Sequence, residues 1–527
     1  MMRKLGILSF LLAFTLSVQL SGQAKEYWVY FQEKDHAAEW ILNGQLAIGE
    51  RALESRFQRG ISLDAKDVAV NPKHNQELKN MGAELVGSSR WMNATVVSWN
   101  GSPLEIEQLP FVKKVEAVRF LHSELCEIQG TNSLDYGNSR QQTELMGGQY
   151  IHDQGFTGQG VRIAVIDAGF GNANIMNTFD SLYTDGRLID TYDFVHGDTN
   201  VFDGGGTHGT AVLSTMAALK PDTLVGTAPH AEYALYTTED VSSESRQEEY
   251  NWIFGAERAD SLGCDVINTS LGYYVFDDPN EDYAFEDMDG ATTIVTRGAD
   301  IAASKGIIVV ASAGNEGFGS WGRIIAPCDG DSVFCIGGVN PLGIYVPFSS
   351  RGPSADGRVK PNVVAVGAAA MVANGSDVPT PANGTSFSSP IMAGMMACIR
   401  QKYPNKNNWE IMKAVEEVSD NHWSPDSLTG HGLPNFQHID AILSSDEPVY
   451  YPMEISVYPN PSNGVVHVEC EDCQEGFSWS VLDLSARVLA EGEGQSGEKM
   501  EFNFPNGVYM IRIQTDRGIA FKRIIRR

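Results

Sequence analysis

Between Val161 and Val339 the chain carries five short apolar runs: VRIAVID, EYALYTT, CDVINTSLG, GIIVVASAGN and DSVFCIGGV. Each is rich in apolar residues and bounded by Gly, Asn or Asp. None alternates apolar with polar residues as a half-solvated strand would. Runs of this kind suit a sheet covered on both faces. Segments with helical spacing, HGTAVLSTMAAL and TRGADIAASKG, lie between several of them. That alternation predicts right-handed crossovers and a parallel sheet flanked by helices. The expected class is α/β, a three-layer sandwich with a mostly parallel sheet. In such sheets function collects at the carboxyl ends of the strands, so those ends are where chemistry is sought.

The chain has 527 residues, too many for one core. Residues 1–24 open with Arg3 and Lys4, run through a mostly apolar Leu5 to Leu20, and end in small residues. This is the pattern of a cleaved export signal. Residues 25–125 hold strand-like YWVYF, ATVVSW and VKKVEAVRF and read as a small α+β unit, followed by the polar linker QGTNSLDYGNSRQQ. Residues 141–445 carry the α/β pattern. In residues 449–527 helical spacing disappears and strand-like runs alternate with Pro, Asn and Gly turns, predicting a small all-β domain. No segment after the signal is long and apolar enough to span a bilayer.

The formal charge of −29 argues against nucleic acid as a partner, since phosphate-backbone binding needs a basic surface. Seven cysteines in an exported chain permit disulfides. Cys328 with Cys335, or Cys470 with Cys473, is placed to bridge. Cys264 and Cys398 lie in apolar surroundings and read as buried small hydrophobes. Cys126 falls in the segment that would leave with the N-terminal unit.

Four polar residues interrupt this framework at its strand ends and helix heads. Asp167 closes VRIAVID, where a carboxylate is costly unless it has partners. His208 follows three glycines and opens a helix-like run. Asn315 ends GIIVVASAGN, where it serves either a turn or a developing oxyanion. In ANGTSFSSPIMAGMMA, Pro390 places a helix start near Ser386 to Ser388. A hydroxyl there would sit at the positive end of the helix dipole, beside unpaired N–H groups. Taken singly, each residue has a structural use as a cap or turn former. Taken together, Asp, His and Ser follow one of the chain orders in which a Ser-His-Asp triad occurs. The Gly-Thr-Ser-Phe-Ser context lacks the G-x-S-x-G of the α/β-hydrolase order.

These motifs resemble those of subtilisin-like serine proteases. The resemblance is carried by AVIDAG, GTHGT, ASAGN and NGTSFSSPIMAG, with FSSRGP and DGRVKPNVVAVG as secondary matches. The run AVLSTMA after HGT, and Lys-Pro-Asn for a usual Lys-Pro-Asp, depart from the family. The resemblance implies a subtilisin-like fold for 141–445 and a serine endopeptidase with Ser386 as nucleophile, His208 as general base, Asp167 as its orienting partner and Asn315 as oxyanion donor. It further implies that Ser270, Leu271 and Gly272, facing Ser312, Ala313 and Gly314, wall the primary specificity pocket for a protein or peptide substrate. Residues 25–125 would then be a propeptide that assists folding and blocks the cleft until the zymogen processes itself. The tail, with YPNPSNGVVHVE and PNGVYMIRIQT, resembles the sorting domain of the bacterial type IX secretion system. That implies a partner in the secretion machinery and a secreted or cell-surface location. No cofactor is required for such chemistry. A structural calcium is compatible with the family, but no residue is assigned to it. The acidic stretch between Asp277 and Asp289 matches no EF-hand and reads as a solvated loop, with a calcium site or a rim for basic substrates as the sharper alternatives.

Overall fold

The computed structural model describes residues 25–32, 34, 36–118, 136–203, 206–444, 451–452, 455–470, 476–484, 487–515 and 518–527. The signal segment, Cys126 and Cys473 lie outside the described residues. Among the described residues no helix is long and apolar enough to cross a membrane.

The N-terminal unit is a four-stranded antiparallel sheet of β1 (Lys25–Phe31), β2 (Glu84–Ser89), β3 (Ala94–Trp99) and β4 (Val112–Val118), in the order β2-β3-β1-β4. Among the described residues four α-helices accompany it, of which the two longest are α1 (Glu50–Gln58) and α2 (Pro72–Asn80). Strand alternation divides β1 between two cores. Tyr27, Val29 and Phe31 fill the unit's own core. Trp28 and Tyr30 point the other way and join an apolar cluster of the next domain.

That domain is built on seven parallel strands: β5 (Arg162–Asp167), β6 (Leu188–Asp193), β7 (Glu232–Thr237), β8 (Val266–Thr269), β9 (Ile308–Ser312), β10 (Val333–Val339) and β11 (Val363–Val366). They run in the order β11-β10-β9-β8-β5-β7-β6. Each of the five apolar runs contains one strand. Two more were not legible as strands. β6 is an edge strand, half-buried over most of its length, and LIDTYD carries little apolar signal. β11 is fully buried but only four residues long.

Both faces of the sheet are covered. Ile163 and Val165 pack beneath α3 (His208–Ala217) and α6 (Thr385–Lys402). Ala164 and Ile166 pack beneath α4 (Arg246–Leu262) and α5 (Ile294–Ser304), the side that also receives Trp28 and Tyr30. Cys328 and Cys335 form a disulfide, while Cys264 and Cys398 are buried and unpaired. The tail forms a five-stranded and a three-stranded sheet around Val466, Val468, Val481, Ile511 and Ile513.

Candidate active site

The parallel arrangement delivers Asp167, Thr269 and Ser312 to the same edge of the sheet, at the ends of β5, β8 and β9. His208 is the first residue of α3 and Ser386 the second residue of α6. Both helix heads point their unpaired N–H groups toward that edge.

Asp167 is fully buried, and its Oδ1 lies 2.6 Å from His208 Nδ1. The backbone N–H of Ala168 also donates to Oδ1, at 2.8 Å. The glycine that permits this approach follows the histidine. A Cβ on Gly209 would lie 3.0 Å from Asp167 Cβ and still nearer the Gly169 carbonyl. Burial alone would push the His208 imidazole down. Pairing and hydrogen bonding with Asp167, helped by the field of Glu239, outweigh it, and its pKa is raised above the ordinary value. Glu239 follows β7 and accepts hydrogen bonds from Thr238 Oγ1 and the Tyr273 hydroxyl, at 2.7 and 2.8 Å. Burial raises its carboxyl to about 7.

Ser386 is 8% exposed. Its Oγ lies 3.5 Å from the Ser270 carbonyl, and its own carbonyl accepts from Ser270 Oγ at 2.8 Å. Gly384 precedes the helix with φ 151°, a conformation open to glycine and strained for other residues. Asn315 is aimed by Thr385. Its Oδ1 accepts from the Thr385 N–H at 2.8 Å and from Thr385 Oγ1 at 3.2 Å. The same hydroxyl oxygen accepts from the Gly314 N–H at 3.2 Å. With its oxygen engaged, the Asn315 amide leaves its N–H₂ to donate elsewhere. Thr385 directly precedes Ser386 in Gly-Thr-Ser, and that adjacency is its signal in the sequence.

His208, Asn315 and Ser386 line one cleft of about 750 Å³, with Phe387 and the hairpin residues Val372 and Thr380 to Ala382 as further wall. The two segments Ser270 to Gly272 and Ser312 to Gly314 follow adjacent strands, β8 and β9. The space between them is not empty. A Cβ built on Gly272 would collide with Ile325 Cδ1, and one on Gly314 would lie 2.9 Å from the same atom. Ile325 is 7% exposed and carried no sequence signal.

The acidic loop has an internal use for its carboxylates. Asp277 accepts from Glu244 N, Asp282 from Phe276 N, Asp287 from Ala284 N, and Asp289 from Ala291 N and Thr292 N. Each carboxylate satisfies backbone donors that a loop leaves unpaired. Among the described residues, no three His, Cys, Asp or Glu side chains gather as a metal site would require.

A profile of the subtilase family matches residues 158–432. The peptidase S8 propeptide domain of Bacteroidota matches 26–132, and the secretion system C-terminal sorting domain matches 456–527. Subtilisin E of Bacillus subtilis (strain 168) is 28% identical over 394 residues, which is 74% of this chain and 92% of the relative. Subtilisin of Bacillus pumilus is 33% identical over 290 residues, 54% of this chain and 93% of the relative. Among solved structures, MycP1 from the ESX-1 type VII secretion system aligns with a TM-score of 0.48 and 21% identity, over 63% of this chain and 93% of that one.

Proposed function

This chain belongs to the subtilase family of serine endopeptidases, and from that premise we propose that Ser386, His208 and Asp167 are its catalytic triad and Asn315 its oxyanion donor. The propeptide and sorting domains mark a protein made with an N-terminal pro-region and exported by type IX secretion, hence secreted or displayed on the cell surface.

In the proposed mechanism the Ser386 hydroxyl turns from the Ser270 carbonyl to His208 Nε2. It attacks the scissile carbonyl while the imidazole takes its proton. The imidazolium is stabilised by Asp167, which also holds the tautomer with Nδ1 protonated. The tetrahedral oxyanion receives hydrogen bonds from the Asn315 amide and the Ser386 N–H. His208 then protonates the leaving amine, and water, deprotonated by the same imidazole, releases the acyl group. The observation that supports this reading most is the 2.6 Å His208–Asp167 contact at the wall of the cleft that Asn315 and Ser386 share.

The test is the intact mass of the wild-type chain beside Ser386→Ala. Loss of the N-terminal region from the wild type alone assigns Ser386 and makes the enzyme its own processing protease. If both chains stay full length, self-processing is wrong. If both are cut alike, another protease does the cutting.

A second observation bears on substrate choice. Ile325 occupies the slot between Ser270–Gly272 and Ser312–Gly314. If these segments wall the primary pocket, its depth is small, and the residue before the scissile bond is small, such as alanine.

A further inference from the structure

The tail carries an apolar face that its own sandwich does not use. In the strand Gly507–Gln514, Tyr509, Ile511 and Ile513 fill the sandwich core, while Val508 and Met510 face the other way. In Gly518–Arg526, Ala520 and Ile524 point inward and Phe521 and Ile525 outward. Val481 is internal, whereas Leu482 and Leu484 join the outer set. A small antiparallel sandwich normally keeps its outer faces polar. Here a contiguous outer patch is apolar, the kind of surface that marks an interaction site.

The propeptide covers it. The cluster containing Leu482, Leu484, Val508, Met510, Phe521 and Ile525 takes its remaining members from Ile41, Leu46, Ile48, Leu53, Phe57 and Leu63, and none from the peptidase domain. Leu53 and Met510 are 1% and 0% exposed. The rings of Phe57 and Phe521 lie 6.3 Å apart, and Lys522 Nζ pairs with Glu54 Oε1 at 2.7 Å. The fit is close enough that a Cβ on Gly44 would collide with Val508. The opposite side of α1 belongs to the peptidase. Arg56 pairs with Asp260 at 2.8 Å, Arg51 with Asp265 at 2.8 Å, and Gly263 admits the backbone of Ala52 against the end of α4.

We propose that the propeptide is the dock that holds the sorting domain on the unprocessed chain, and that its removal uncovers the apolar face of that domain. One helix thus serves two partners, and the proteolytic event that removes the pro-region also frees the tail. The proposal rests on the zymogen reading given above.

Two methionines of the tail make the test. Met510 is buried by the propeptide, whereas Met500 is buried in the sandwich's own core. Peroxide oxidation of each is followed by peptide mass spectrometry in the full chain carrying Ser386→Ala, in that chain with Phe57→Asp added, and in processed wild type. Met510 is expected to be as protected as Met500 in the first. It is expected to oxidise at least tenfold faster in the other two, with Met500 unmoved. Equal Met510 rates before and after processing overturn the masking, as does protection that survives loss of the propeptide. Should Phe57→Asp unfold the tail, Met500 will rise too. The decision then falls to a zero-length carbodiimide crosslink between Glu54 and Lys522 in the Ser386→Ala chain, whose absence refutes the contact. A wild-type chain that never sheds its N-terminal region refutes the unmasking step, and the crosslink then reports separately on the contact.

Discussion

On the proposed assignment of the pocket walls, replacing Ile325 by glycine is expected to let the enzyme accept an aromatic ring before the scissile bond. The side chain lies against the backbone of both proposed pocket walls, so close that Gly272 and Gly314 have no room for a Cβ beside it. It is almost fully buried there, 7% exposed. Its removal would vacate the slot between the two proposed walls. A phenyl ring entering that slot leaves water as a core side chain does, which is worth about 1.5–3 kcal/mol. At about 1.4 kcal/mol per decade this is roughly a 10- to 150-fold gain in kcat/KM for Phe over Ala at that position. The assay is steady-state hydrolysis of peptide anilides that differ only in their last residue, compared between wild type and Ile325→Gly, with Ile325→Ala as an intermediate step. An unchanged Phe:Ala ratio in a variant that still cleaves the Ala substrate would show that Ile325 does not set the pocket depth, and the assignment of the two walls would fall with it.

Thr385→Val keeps the backbone N–H that orients Asn315 and removes two hydroxyl contacts of 3.2 Å each. At about 0.5–1 kcal/mol apiece, kcat should drop about 5- to 30-fold with KM little changed. A loss as large as that of Asn315→Ala, or no loss, would contradict the proposed division of labour. Because the proposed base must be neutral and the His208 pKa is raised, kcat/KM should fall on the acid side through a midpoint above the ordinary histidine value of about 6.5. Glu239→Gln should move that limb to lower pH, and a limb that stays in place excludes Glu239 from the field at His208. Asp260→Ala removes the carboxylate that the buried Arg56 and Arg90 share, leaving Arg56 with Asp67 at 2.8 Å and Arg90 with Glu257 at 3.7 Å. Losing one shared, charged hydrogen-bond partner costs about 1.5–3 kcal/mol, to be read from urea unfolding of the unprocessed Ser386→Ala chain; no measurable change would mean that Asp260 is dispensable to the network.

How much of this was legible in advance depended on how local the cause was. The α/β class follows from runs such as GIIVVASAGN, because burial on two faces is written in the residues themselves. Asp167, His208, Asn315 and Ser386 stood out because each sits at a boundary between an apolar run and glycine, and their roles followed from the resemblance of those motifs to a known family. β6 escaped because an edge strand keeps half its surface polar; β11, no shorter than β8, was not separated from the Pro- and Gly-bounded stretch around it. The sequence by itself determined the layered fold and the division into an N-terminal unit, an enzyme and a β-rich tail, and it singled out the four positions proposed for catalysis. Only the tertiary structure decided that Thr385 aims the Asn315 amide, that Ile325 fills the slot between β8 and β9, and that α1 lies between the peptidase and the tail. Each of these depends on groups far apart in the chain meeting within a few ångströms. Contact of that kind comes from how the layers pack, and it leaves no trace in the spacing of residues along any one segment.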